Sequence, residues 1–258
     1  MDADPALLLE TLGITTTPVG LYDAPDPDRF APLVSPKRGT EPCLFAYYRR
    51  WQRGQTLHLT ADAPGCEGCG WYLFGLPVPR EEHLAFLVED EGISATRALA
   101  AEWMARHRAY RPRHDNVLVG PLRAGQEQYL RTITFFVTPD QLGGLVTGAH
   151  YEASAADPSP VIAPFGAGCM QLLTLFEDLD APQALIGGLD LSARPPLPAD
   201  VLAFTVTRPM FERLCRLDEA SFLFKPDWRD LRALRASQRG GEASTACSIP
   251  GACGRMTA

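Results

Sequence analysis

The sequence predicts an α+β domain with a mixed sheet flanked by helices. Two observations carry this. Runs with strand-like alternation are interspersed with amphipathic runs of helical period, without the strict βαβ order of a parallel sheet. The composition is that of a globular core: of 258 residues, 46% are hydrophobic and 21% charged, and 22 Gly and 23 Pro supply many turns. A chain of this length buries roughly 70–75% of its unfolded surface, enough for one large domain.

Taken in order, residues 3–13 read as a short helix with Leu7, Leu8, Leu9 and Leu12 as its apolar stripe. "TPVGLYD" (17–23) reads as a strand and is followed by a Pro-rich loop to about Pro42. "CLFAYYRRWQRG" (43–54) has a helical pattern ending on Gly54, and "QTLHLTA" (55–61) alternates as a strand. The "GCEGCGWYLFG" turn and a short helix ending near Gly75 come next. "REEHLAFLVEDEG" and "SATRALAAEWMARHRAY" are helical, with Ser94 as N-cap of the second. "NVLVGPL" and "RTITFFVT" (131–138) are strands, and Pro139 opens a helix to about Ala153. "GAGCMQLLTLFEDL" (166–179) reads as a helix, "QALIGGLDL" (183–191) and "DVLAFTVT" (200–207) as strands. "RPMFERLCRL" (208–217) and the basic "DWRDLRALRASQ" read as helices.

The expected organisation is one domain over residues 1–240 and a flexible Cys-containing tail over 241–258, where apolar periodicity fades. "PCLFAYYRRWQRGQTLHLTAD" and "GCMQLLTLFEDLDAPQALIGGLD" share the order Cys, apolar helix, turn, strand. This suggests two similar half-units, 14–92 and 115–217, with Cys43 and Cys169 near one axis. Each Cys would open a helix, where free N–H groups and the dipole favour a thiolate.

The formal charge of −7 argues against a nucleic-acid surface. No apolar run approaches the roughly 20 residues of a membrane helix, and the acidic start lacks the basic, apolar pattern of a secretory signal. The expectation is a cytoplasmic protein acting on a small molecule or with a redox partner, with a homodimer left open. Walker, Rossmann-glycine and Gly-x-Ser-x-Gly patterns are missing from the sequence.

Seven cysteines stand at 43, 66, 69, 169, 215, 247 and 253. An odd number in a reducing compartment argues against a disulfide framework. Cys66 and Cys69 can place two thiolates on one centre, and Cys43 and Cys169 can supply two more. Four thiolates suit zinc or an iron–sulfur cluster. Zinc usually recruits a second tight pair, whereas a pair with two distant single cysteines fits a 4Fe–4S cluster. Two other readings stay open: a Cys-x-x-Cys redox dithiol, and a glycine turn whose thiols only pack as small hydrophobes. Cys215 reads as core. Arg194 and Asp190, with Ser192, form a weaker substrate-binding candidate at a strand end. His150, with Glu152 at a helix end, could serve as a base beside the cysteines. His58 could face either side of its sheet. His83, His107 and His114 read as surface residues, and Tyr47, Tyr48 and Trp71 as core or cluster shielding.

The series "TPVGLYD", "PCLFAYYRR", "GCEGCGWYLFG", "TITFFVTPDQLGGLVTGAHY", "APFGAGCMQLL" and "IGGLDLSARPPLPADVLAFTVTRPMFERL", over roughly residues 5–217, resembles the prokaryotic domain of unknown function 169 family. The resemblance implies a soluble protein of a kind often found in anaerobes and brings no reaction with it. It implies recurring cysteines at Cys43, Cys66 and Cys169. Cys69 departs from the pattern and is the first ligand to drop if one iron is left open. Cys247 and Cys253 lie outside it.

Overall fold

In the computed structural model the described residues are 5–36, 43–77, 80–107, 109–191 and 194–245, with side chains through 238. Alternating and continuous apolar runs pair into one eight-stranded mixed sheet. In chain order its strands are β1 (Val19–Asp23), β2 (Leu33–Val34), β3 (Thr56–Leu59), β4 (Val117–Pro121), β5 (Leu130–Val137), β6 (Val161–Ile162), β7 (Ala184–Gly187) and β8 (Leu202–Thr207). The spatial order is β2-β3-β4-β1-β5-β8-β7-β6. The β2–β3 and β6–β7 pairs at the two edges are parallel and the rest antiparallel.

Outward from the centre, the first four strands run β1, β4, β3, β2 and the last four β5, β8, β7, β6. The two sets of four mirror one another in strand order, but the first set includes β4, which the expected half-units 14–92 and 115–217 place in the second, so the half-units are not borne out as bounded. The helices do not repeat. The β3–β4 connection carries α3 (Glu67–Phe74), α4 (Arg80–Ala85) and α5 (Arg97–Arg106), whereas β7 and β8 are joined by a segment with no such helices among its described residues.

Each face of the sheet has its own core, because successive side chains on a strand point to opposite sides. On one face Val19, Leu21, Leu57, Leu59, Val117, Val119, Phe136 and Ala203 pack with Trp51, Tyr72, Leu172 and Leu173. These last four come from α2 (Tyr48–Trp51), α3 and a single π-helical turn at Met170–Thr174. On the other face Tyr22, Leu118, Ile133, Phe135, Phe204 and Val206 lie under α1 (Pro5–Leu12), α6 (Pro139–His150), α7 (Arg208–Leu214) and α8 (Pro226–Thr245).

Several helices differ from the sequence reading. Residues 43–54 do not form one helix: a 3₁₀ turn at Leu44–Tyr47 precedes the four-residue α2. The run 166–179 shortens to a π turn ending at Thr174. The helix expected to begin at Ser94 is capped by Thr96, whose hydroxyl accepts the Leu99 N–H at 3.2 Å. Far from fading at 240, α8 continues through Thr245, so the start of the expected tail is helical. Cys247, Cys253 and Ser192 lie outside the described residues. No helix of the described residues is long and apolar enough to cross a membrane.

Candidate functional site

The four cysteines singled out by spacing come together on one face of the sheet. Cys43 precedes the 3₁₀ turn before β3, Cys66 caps α3, Cys69 lies in its first turn, and Cys169 leads into the π turn before β7. All belong to or pack on the same core. Cys43, Cys69 and Cys169 are buried and Cys66 is half-buried, and all are free thiols.

Local sequence explains the convergence. Cys66 has an extended backbone and its Sγ accepts the Cys69 N–H at 3.4 Å, the N-cap role a serine or aspartate would otherwise fill. The Cys69 thiol is within hydrogen-bonding reach of both Cys66 and Cys169. Gly68 sits between two of the sulfurs: a Cβ there would lie 3.9 Å from Cys66 Sγ and from Cys169 Sγ. Those are ordinary contact distances, whereas a Cβ at Gly168 would lie only 2.9 Å from Cys43 Sγ. Gly168 thus makes space for a neighbouring thiol.

The thiols differ in acidity. Hydrogen bonding from the Cys69 thiol, aided by the Cys69 and Gly68 N–H groups and opposed by burial, draws Cys66 down to about 7. Cys69 is pushed well up by the adjacent Cys169 and Cys66 thiols and by burial. Burial pushes Cys43 up to about 12. The expectation that a helix start would favour a Cys43 thiolate is therefore not met: a four-residue 3₁₀ turn gives little dipole, and desolvation dominates.

Cys43, Cys66 and Cys69 border a void of about 10 Å³ shared with Leu44, Tyr47, Leu57, Leu59, Pro64 and Gly65. That is about the room of one small atom or water. Among the described residues, no three His, Cys, Asp or Glu side chains stand close enough together to form a ready-made ion site. The donor chemistry, four thiols from three segments, fits a thiophilic metal centre; the spacing requires the sulfurs to adjust around it.

The remaining candidates divide. Asp190 is buried and lies within electrostatic reach of the Cys43 thiol and of Glu91. Arg194 is committed to the backbone: its guanidinium donates to the carbonyls of Gly188 (3.3 Å), Val201 (2.5 Å), Pro198 (3.1 Å) and Ala199 (2.9 Å). It staples the β7–β8 connection, which is a different role from the substrate contact expected. Arg194→Met is expected to lower stability by about 1–2 kcal/mol in urea unfolding, from the loss of these bonds. His150 belongs to α6, whose buried residues Leu145 and Ala149 pack on the opposite face of the sheet. It is exposed, with Nδ1 on the Val146 carbonyl (2.9 Å) and Nε2 on Ser159 (3.3 Å). The sheet therefore separates it from the cysteines, and Glu152 pairs with Arg213 at 3.4 Å. Cys215 lies in the core of that same face.

The other histidines have structural partners. His58 meets Asn116 at 2.7 Å, and His107 Nδ1 meets the Trp103 carbonyl at 2.7 Å. His83 stands edge-on to Trp71 and is half-buried. His114 is no plain surface residue, since it holds the buried carboxylate of Asp23 at 2.9 Å. Tyr47 and Tyr48 fill the core, and Trp71 packs beside it.

A family model matches residues 7–216, that of DUF169, described as uncharacterised ArCR. The chain belongs to the DUF169 family. No curated protein and no solved structure matches it. The DUF169 match spans all eight strands and the four converging cysteines, and stops before α8.

The sequence reading missed two residues that shape this site, Gly168 and Gln171. Gly168 was legible as the second glycine of "GAGC". Gln171 had no local signal, because its importance comes from contacts 5 and 17 residues away.

Proposed function

We propose that Cys43, Cys66, Cys69 and Cys169 hold a metal centre, an iron–sulfur cluster of the 4Fe–4S type, and that the protein acts through it on a small molecule or redox partner. The observation that supports this is the convergence of four free thiols from three separate segments in one core. Burying several thiols side by side raises their cost of ionisation, and a cation compensates by drawing the protons off. Cys69, first to be dropped on the family resemblance, is within hydrogen-bonding reach of both Cys66 and Cys169.

When bound, such a group supplies one-electron transfer or an open Lewis-acidic iron. The chain's own part is to hold and shield it. Buried Cys43, Cys69 and Cys169 fix the inner side, with Tyr72 and Leu172 excluding water. Half-buried Cys66 marks the side from which a small molecule arrives. Buried Asp190, near Cys43, adds a carboxylate that disfavours a further anion there.

A second reading is a single structural zinc ion in a binding or accessory protein. The void of about 10 Å³ favours it, having room for one atom and little more. Metal analysis decides. Protein purified without oxygen is expected to be brown, to absorb near roughly 400 nm and to carry iron with acid-labile sulfide. Cys66→Ser and Cys69→Ser should each deplete both. Zinc without sulfide supports the second reading. Colourless protein with neither metal overturns both, and leaves the Cys66–Cys69 dithiol, with its capped, more acidic Cys66 thiol.

A further inference from the structure

We infer that Gln171 is the positioning residue of the cysteine site: its side-chain amide sets where Cys169 stands relative to Cys69 and Cys43. The inference rests on the reading that these cysteines act together, but its test does not require a metal.

Gln171 is a fully buried amide in a largely apolar turn, between Met170 and Leu172. Its Nε2 donates to the Gly166 carbonyl at 2.5 Å, and its Oε1 accepts the Gly188 N–H at 2.6 Å. Its own backbone N–H reaches the Ala167 carbonyl at 3.0 Å. One side chain thus joins the loop before Cys169, the turn after it and the end of β7. Cys169 hangs between the two anchor points, three residues after Gly166 and two before Gln171. Gly188 is two residues before Asp190, so the same amide also fixes the strand end that brings a carboxylate near Cys43.

The surroundings are fitted to this amide. A Cβ at Gly187 would lie 2.6 Å from Gln171 Oε1 and 3.2 Å from its Cδ, so a bare glycine lets the amide lie against β7. Gly168, inside the clamped loop, makes way for Cys43 Sγ. Only an amide offers an acceptor and a permanent donor at this length. Methionine would fill the volume and satisfy neither backbone group. In a buried core such a doubly satisfied polar link fixes one arrangement where apolar packing would accept several.

The test reads thiol geometry directly. Metal-free protein is oxidised briefly with diamide, which takes two hydrogens from a thiol pair, and the disulfides are mapped by peptide mass spectrometry. Wild type is expected to give both Cys66–Cys69 and Cys69–Cys169 products. Gln171→Met should lower the Cys69–Cys169 share roughly fivefold or more, since small misplacements of reacting atoms carry large rate penalties, while Cys66–Cys69, held within α3 and its cap, stays as it was. Leu173→Val trims packing in the same turn without touching the amide and should leave the ratio unchanged. Folded protein is confirmed for each variant by circular dichroism at the temperature of the reaction. An unchanged ratio in Gln171→Met overturns the inference. An equal shift in Leu173→Val overturns it too, by showing that packing alone is responsible. Absence of a Cys69–Cys169 product in wild type overturns it at the outset. Failure of the wild type to take up metal counts instead against the proposed centre and leaves the disulfide ratio readable.

Discussion

Replacing Asp23 by alanine is expected to destabilise the protein by about 3–5 kcal/mol, the range for removing one member of a buried charged network. Asp23 ends β1 with its side chain fully buried. Its carboxylate accepts the Tyr110 hydroxyl (2.5 Å), the Arg113 N–H (2.8 Å) and the His114 N–H (3.0 Å), and it contacts His114 Nδ1 at 2.9 Å. Arg131 stands 3.9 Å away. These donors pin the stretch between α5 and β4, the return from the helices that carry Cys66 and Cys69. Alanine leaves a hydroxyl and two N–H groups without an acceptor. Asparagine restores part of the volume but turns an acceptor into a donor facing other donors, so Asp23→Asn should recover little.

The pH dependence has a definite sign. Burial disfavours the Asp23 charge, but the bonds from Tyr110, Arg113 and His114 outweigh it and hold the carboxyl below its ordinary value. A depressed folded-state value contributes stability above the unfolded pKa, and that contribution is lost as pH falls through the folded one. The gap between wild type and Asp23→Asn should therefore be full at neutral pH and begin to close below about 4. Chemical denaturation at several pH values measures it. A gap that is constant down to pH 3 would show that Asp23 titrates alike in both states.

Neither Asp23 nor its partners stood out in the sequence, although the fold around them did. The strands of the sheet centre were legible because β1, β4, β5 and β8 are long apolar or alternating runs. The two-residue edge strands β2 and β6 were not, since two residues make no pattern. Helix ends went wrong where tertiary packing overrides propensity. "GCMQLLTLFEDL" has the apolar content of a helix, but Gln171 bends it toward Gly166 and Gly188 and it closes as one π turn. The approach of Cys43 and Cys169 was legible through a repeated order, Cys, apolar helix, turn, strand; the helices shorten to a 3₁₀ turn with α2 and to a π turn, while β3 and β7 follow as strands. Arg194 and His150 were weaker candidates for a common reason. A polar residue at an element end looks the same in sequence whether it faces a ligand or satisfies nearby carbonyls, and both of these satisfy carbonyls.

Gly168→Ala should remove Cys43 from the site while leaving all four cysteines in the chain. The added Cβ would lie 2.9 Å from Cys43 Sγ, and 3.3 Å and 3.5 Å from the Phe45 ring. Real Cβ contacts do not come that close to sulfur, so something must move. Phe45 is fully buried and stands edge-on to Phe136 and Trp51, so it has little room to give. The Cys43 thiol is a single rotatable group and is the part expected to turn away. The stability cost is about 1–3 kcal/mol, as for other overpacked cores. On the proposed four-cysteine centre the effect is larger: loss of one of its four ligands should at least halve the iron and sulfide retained through anaerobic gel filtration. Cys43→Ser supplies the comparison. If Gly168→Ala behaves like Cys43→Ser in metal content and spectrum, the glycine is there to admit the thiol. If Gly168→Ala keeps its full metal while Cys43→Ser loses it, the Phe45 ring has yielded instead and the thiol has held its place. If both keep their metal, Cys43 is not a ligand, and the centre rests on Cys66, Cys69 and Cys169 with one coordination position open.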